Sequence, residues 1–404
     1  MKHAKKLLAI LLVGVMLMGT LVACGGNNGG TENKGTENAG GTENNNSEEK
    51  VEVVKHKIGV AHYTDSGKGY EAIKAYLEGI SEVIGCEFEY VTLSTYDEAT
   101  NITAIQNLIS AGCEGILMSA DMGTAAIMAE CEAAGVYLAG FLCDYLTSKS
   151  TTYDEVFGSE YFLGTVCDGY ADPAAYGEAV AADVIAKGYK NVGVITFPAF
   201  AYPLQANGDA AFRAAIAKHN ETAEEKINII EETHSLMFAP LEDTYLSDNP
   251  DLDCIFSLAA GAGFVYPVLV ANNKTDIALY TTGFEGTDDM AHFGSNGNGC
   301  FKGVMACTAE SIVYPLVLMI DALNGTRHAD LPAAPEVVPC DPLVILSDED
   351  MKTVEENSIY YSANYADALI TGEEIIKLCA SYNEDATYAG LVELLSKMGV
   401  EDLK

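Results

Sequence analysis

Rings and carboxylates in this sequence gather at one kind of position, just past short β-rich runs. His62, Tyr63 and Asp65 close or follow the run from Ile58, Asp121 follows Gly115–Ser119, and Asp144 and Tyr145 follow Val136–Phe141. Further on, Phe197, Phe200 and Tyr202 follow Val192–Thr196, and Gln205 and Asn207 come next. Ala259 and Ala260 follow Cys254–Ser257, and Glu285 follows Ile277–Thr282 with Gly283 and Phe284 between. These residue types suit the capture of a small polar solute. Flat rings lie against its C–H faces, and planar amides and carboxylates accept its hydroxyl or ammonium protons. Tyr63, Phe197, Phe200 and Tyr202 supply faces; Asp121, Asp144, Asn207 and Glu285 supply acceptors. Each also has a plainer reading, since Phe197 and Phe200 can pack a loop and Glu285 can cap the next helix.

Catalytic patterns are missing. The sequence has no Gly-x-Ser-x-Gly elbow, no His-Glu-x-x-His and no phosphate loop. Asp288-Asp289 reads as the acidic start of a helix. Gly67-Lys68-Gly69-Tyr70-Glu71-Ala72 does fit the dinucleotide fingerprint Gly-x-Gly-x-x-Ala, with Glu87 and Glu89 downstream. However, Thr64-Asp65-Ser66 separates the strand from the glycines, whereas pyrophosphate binding needs the tight turn at the strand end. The stretch is a glycine-eased loop entering a helix, and no cofactor is expected. The seven histidines are scattered and no Cys-x-x-Cys occurs, so no metal site is expected either.

The elements that must carry these residues alternate. Strands are predicted at Ile58–Tyr63, Phe88–Leu93, Gly115–Ser119 and Val136–Phe141, with helices between them over Gly69–Ile84, Glu98–Ala111 and Thr124–Ala134. The pattern breaks between Asp144 and Ala174. It restarts with a helix over Ala175–Gly188 and strands at Val192–Thr196, Ile227–Glu232, Cys254–Ser257 and Ile277–Thr282. Helices are expected at Gly208–His219, Ala239–Ser247, Gly263–Asn272 and Met305–Asn324, with two or three more beyond Pro335. Strands separated by helices of this length imply right-handed crossovers and parallel sheets. Two such α/β units in tandem put the candidate residues at the carboxyl ends of two facing sheets, where open α/β sheets bind ligands.

The chain resembles the type I periplasmic-binding-protein family, its ribose- and galactose-binding branch above all, over about Lys57 to Asn324. The resemblance rests on His62-Tyr63 after the first strand, Gly-Cys-Glu-Gly-Ile-Leu-Met-Ser-Ala at 112–120, and the helix start Gly208-Asp-Ala-Ala-Phe-Arg213. It also rests on Asn-Pro-Asp-Leu-Asp-Cys-Ile-Phe-Ser at 249–257 and Thr-Thr-Gly-Phe-Glu-Gly-Thr at 281–287. It implies two Rossmann-like lobes joined by crossings near 145–165, 284–288 and 325–335. Residues 56–150 with about 286–330 then make lobe 1, about 151–285 make lobe 2, and 331–404 form an extension of uncertain lobe. In sugar-binding relatives, paired aromatics and an acid after Gly-Phe touch the sugar; His62-Tyr63 and Glu285 stand at those positions. The chain departs from the pattern where relatives carry arginines, reading Ala120-Asp121-Met122 and Gln205-Ala206-Asn207, and where they carry Asn-Asp it reads Leu258-Ala259-Ala260-Gly261. These departures imply a solute less hydroxylated than a pentose, or one with an aromatic or amine part.

The N-terminus says where this happens. Lys2, His3, Lys5 and Lys6 precede an apolar run from Leu7 to Val22, and Leu21-Val22-Ala23-Cys24 follows the form of a lipoprotein signal. It resembles the bacterial signal in which residues 1–23 are removed and Cys24 is lipidated. Residues 24–55 then form a flexible tether, with Gly-Thr-Glu-Asn three times over and almost nothing apolar. A net charge of -37 repels nucleic acid and anionic lipid, so membrane attachment is expected through lipid only. Only Arg213 and Arg327 are arginines, which argues against a polyanionic solute. Ten cysteines follow Cys24; an exported chain invites disulfides, but their apolar settings favour free, buried thiols. The expected protein is a monomeric, lipid-anchored, extracytoplasmic solute-binding component of an ABC importer that binds a neutral or cationic solute, foremost a sugar, by hinge closure. Its partners are the solute and a membrane permease. The alternatives are a nucleoside or furanone-signal binder of the same fold, or the binding component of a membrane sensor.

Overall fold

The computed structural model describes residues 51–94, 97–143, 153–167, 173–199 and 202–403. Cys24, the signal and most of the tether lie outside them, as do Asp144, Tyr145 and Phe200. Short runs rich in Ile, Val, Leu and Phe form the sheet of lobe 1: β1 (His56–His62), β2 (Cys86–Thr92), β3 (Gly115–Met118), β4 (Tyr137–Phe141) and β5 (Phe162–Cys167). Their helices are α1 (Lys68–Ile84), α2 (Glu98–Ser110), α3 (Thr124–Ala134) and the short α4 (Tyr153–Phe157). Lobe 2 follows with α5 (Ala174–Lys187), β6 (Asn191–Thr196), α6 (Gln205–Thr222), β7 (Asn228–Ile229), β8 (His234–Ser235), α7 (Asp243–Asp248) and β9 (Cys254–Ser257). It continues with α8 (Gly261–Phe264), α9 (Tyr266–Ala271), β10 (Ala278–Thr282), α10 (Thr287–Met290) and β11 (Phe301–Ala306). The chain then returns to lobe 1 as α11 (Val313–Leu323) and sends β12 (Val337–Pro339) to the first sheet and β13 (Leu343–Ile345) to the second.

The sheet orders are β12-β5-β4-β3-β1-β2 and β13-β11-β10-β9-β6-β7, with β8 beside β6. All pairings are parallel except β11 with β13. Setting β8 aside, the first five strands of each lobe thus share one doubly wound order, and each sheet has a switch point, between β1 and β3 and between β6 and β9. Helices cover both faces. On one face of lobe 1, Tyr76, Leu77 and Ile80 of α1 meet Leu316 and Ile320 of α11; on the other, Ile105 and Leu108 of α2 meet Ile127 and Cys131 of α3. Apolar positions at 72, 73, 76, 77, 80 and 84 explain why α1 forms and which way it faces. Gly85 ends it in a left-handed turn at φ 71°. Lobe 2 repeats the scheme, with Val180 and Phe212 on one face and Leu269, Phe293 and Val354 on the other.

The crossings fall later than expected. β5 belongs to the first sheet and β11 to the second, so the chain changes lobes after Cys167 and before Pro173, at Cys307-Thr308 and at Cys340–Pro342. The expected positions near 145–165, 284–288 and 325–335 are corrected accordingly, and with them the ends of lobe 1 at 150 and lobe 2 at 285. The cause is that β5 and β11 were not foreseen as strands. The extension past Ile345 serves both lobes. α12 (Asp348–Asn357) buries Met351 and Val354 in lobe 2, and α13 (Ile359–Ser362) places Ile359 in the core of lobe 1 and Tyr360 in that of lobe 2. α14 (Gly372–Leu378) and α15 (Tyr388–Leu395) pack on lobe 1, and Val400 and Leu403 return to lobe 2.

All ten described cysteines are free thiols; eight are buried, and Cys143 and Cys307 are half-buried. Burial pushes the Cys86, Cys131 and Cys300 thiols up to about 12. Among the described residues no helix is long and apolar enough to cross a membrane.

Candidate functional site

Both switch points are braced by a polar side chain. In lobe 1 the loop after β1 leans on the end of β3, where the Tyr63 N–H donates to Ser119 Oγ at 3.0 Å. In lobe 2 the Gln205 amide does the equivalent work between β6 and β9. Its Oε1 accepts from the Phe197 N–H and its Nε2 donates to the Leu258 carbonyl, each at 2.7 Å. Gln205 is buried and spends both ends of its amide on backbone. The amide expected among the solute contacts thus ties the ends of β6 and β9 together from a buried position.

His62, expected with Tyr63 among the solute contacts, is likewise buried. It is 1% exposed while Tyr63 is 45% exposed. The imidazole stacks under Tyr63 at 4.5 Å between ring centroids, meets Tyr70 edge-on at 5.3 Å and leans on Phe141 at 5.6 Å. Nδ1 lies 3.0 Å from the Thr64 carbonyl and 3.2 Å from its N–H, while Nε2 is buried without a partner. Desolvation pushes its pKa down to about 4, against a smaller upward pull from the Thr64 backbone. His62 thus stays neutral and acts as a flat support.

Asp65 is exposed beyond Tyr63, and Asp121 is half-buried, with its carbonyl accepting from Thr124 Oγ1 at 2.8 Å. In lobe 2 the expected rings do gather. Phe197 sits 5.2 Å from Tyr202, and it also meets two rings that the sequence reading missed: Phe238 in parallel at 4.9 Å and Phe264 edge-on at 5.4 Å. Phe238 holds φ at 57°, uncommon for a residue with a side chain, and sites of such strain concentrate where function needs them. Tyr202 is 42% exposed, and Asn207 is exposed in the first turn of α6.

Glu285 is where the lobes meet. Its carbonyl accepts from the Lys68 N–H of lobe 1 at 3.2 Å. A Cβ built on Gly67 would stand 3.5 Å from its Oε2, and one built on Gly263 would stand 2.6 Å from Oε1. The carboxylate therefore occupies a niche that Gly263 leaves open, with Gly67 at ordinary contact distance on its other side. Solvent reaches one side of it, yet desolvation on the other lifts its pKa above the ordinary value, and the Asp289 charge adds to this. The Lys68 side chain, only 4% exposed, pairs with Glu71 at 3.4 Å. Arg213 is engaged on its own lobe, binding Asp209 at 2.6 Å and Thr233 at 3.1 Å. No group of metal-ligating side chains occurs among the described residues.

No family model and no curated protein matches the sequence. Solved structures do match it. A solute-binding protein of an ABC transporter from Agrobacterium vitis, bound with α-D-tagatopyranose, is 15% identical with a TM-score of 0.56, over 73% of this chain and 96% of its own. A substrate-binding protein of a sugar ABC transport system from Bordetella parapertussis is 13% identical with a TM-score of 0.55, over 76% and 93%. A protein from Bacteroides fragilis described as a LacI transcriptional regulator is 12% identical with a TM-score of 0.50, over 74% and 99%. Similarity at this level establishes the fold, which is the type I periplasmic-binding-protein fold, and leaves function to the site.

Proposed function

We propose that this chain is an extracytoplasmic solute-binding protein of an ABC importer, anchored by lipid on Cys24 and holding a small neutral or cationic polar solute, foremost a sugar, between its lobes. The observation that carries this reading is the niche of Glu285, an acid of raised pKa at the seam between two braced switch points. Exposed Tyr63 on one side and the Phe197–Tyr202–Phe238 group on the other offer ring faces, and Asp65, Asp121 and Asn207 offer acceptors. Sugars bound in structures of this fold, such as the tagatopyranose of the Agrobacterium vitis protein, make that solute class the first to test. Extra rings beyond those the sequence suggested favour one second reading within the same fold, a nucleoside whose base stacks on Phe197 and Phe238.

Residues 51–404 form one compact unit and can be assayed without the signal and tether. Thermal unfolding with panels of sugars, nucleosides and amines tests the proposal. A true solute at a hundredfold excess over its Kd stabilises by about 2.7 kcal/mol. Glu285→Gln and Tyr63→Ala then lose most of that gain while unfolding normally without solute. Silence across all three panels would sink the reading.

A further inference from the structure

Two connections beyond the three crossings tie the lobes, and both lie in the C-terminal extension. The first is α13. Its Tyr360 hydroxyl accepts from the Phe284 N–H at 2.9 Å, one residue before Glu285, while the preceding Ile359 is buried in lobe 1. Behind it the chain is fastened to α1: Tyr76 Oη donates to the Ile370 carbonyl at 2.9 Å, and the Tyr365 ring fills the space over Gly79. The Leu369 N–H also donates, at 2.8 Å, to buried Glu310, two residues past the second crossing. The second connection runs from Met398, in the core of lobe 1, to Val400 and Leu403, in the core of lobe 2. It lies against the third crossing, where the Asp341 N–H donates to the Leu395 carbonyl at 2.9 Å and Cys340 Sγ sits 3.4 Å from Met398 Sδ.

We propose that residues 346–404 act as a strap that holds the lobes near their present separation with or without solute, and that Tyr360 is a positioning residue for the Glu285 loop. A rotation that parts the lobes at this seam works against the strap, because Ile359 is held in the lobe 1 core while Tyr360 is packed and hydrogen-bonded in lobe 2. Capture then occurs in a pre-set cleft, with the ordering of the lobes largely complete before the solute arrives. The solved structures of this fold cover nearly all of their own length but only about three quarters of this chain, and the first fifty residues account for only about half of the remainder. The inference rests on the proposed solute cleft, but its test reads the lobes themselves.

Fluorophores introduced as unnatural side chains at exposed Gln106 of lobe 1 and Lys218 of lobe 2, in residues 51–404, report lobe separation by single-molecule energy transfer without solute. The expected result is one narrow population that broadens or splits in Tyr360→Phe and in a chain ending at Met398. Tyr360→Phe removes a single oxygen from a ring that stays packed, so it carries the test if the shortened chain fails to fold. Two exchanging populations in the unmodified protein, or a Tyr360→Phe distribution identical to it, would overturn the strap. Neither outcome depends on whether any solute binds, so failure of the strap and failure of the binding proposal are read separately.

Discussion

Two adjacent rings with the same apparent promise have opposite fates. His62 and Tyr63 both follow the first strand, but alternation along β1 turns the histidine inward onto Tyr70 and Phe141 and leaves the tyrosine on the surface. The sequence marks both as ring-bearing; only the exact strand end, which local pattern fixes poorly, tells them apart. His62 then has a measurable signature. With its folded pKa near 4 against 6.5 when unfolded, the unfolded chain takes up a proton that the folded one refuses between those values. Stability is therefore lost as pH falls from 6.5 to 4, at up to about 1.4 kcal/mol per pH unit and about 3 kcal/mol in all. Glu310 and Glu285, whose pKa values are raised by burial, work in the other direction. The difference between unmodified protein and His62→Phe in urea unfolding isolates the histidine. If the two profiles run parallel from pH 6.5 to 4, His62 titrates normally. Gln205 shows the same limit: an amide that bonds backbone, as this one does at both ends, and one that bonds a solute look alike in sequence.

Legibility at the level of elements divides along a physical line. The first four strands of lobe 1 and β6, β9 and β10 of lobe 2 show as apolar runs, and the structure places strands there. The fifth strand of each lobe does not. β5 carries Gly164 at φ 105° and β11 carries Gly303, and the pairing of each with its neighbour slips by a residue, at Leu138/Gly140 and at Leu279/Tyr280. Glycine and irregular register erase the alternation that betrays a strand, and missing these two strands displaced the expected crossings. Helices fared better, and α1 shows why a glycine inside one can be informative. Alanine at position 79 gains about 1 kcal/mol of helix propensity, yet its Cβ would fall 2.2 Å from Tyr365 Cγ. Gly79→Ala is expected to lower stability by about 1–3 kcal/mol in denaturant titration. A stabilised variant would show that Tyr365 yields without cost.

For the whole molecule, tandem α/β units were visible in the order of elements, whereas the assignment of the tail was not. Helical periodicity in α15 announces an apolar face, but no local feature says which of two cores that face will fill. Charge is legible at once and has a global effect. With 59 acidic residues against 22 basic ones, the folded surface repels itself. Screening reaches about 10 Å at 0.1 M salt, so the melting midpoint should rise by several degrees between very low salt and 0.15 M NaCl. A flat salt profile would mean that local ion pairs such as Lys187 with Asp183 at 2.5 Å already absorb the repulsion.

The interior sulfurs carry a cost that falls before the native state exists. Thiols lifted to about 12 by their surroundings are inert, but the same side chains in an extended polypeptide regain ordinary reactivity. If this protein is exported uncoiled, as the proposed function requires, ten thiols emerge together, and any oxidant met at that moment can couple them in wrong combinations. Prompt maturation is then the molecule's chemical shield, and a habitat poor in oxygen is the setting in which such a composition is safe.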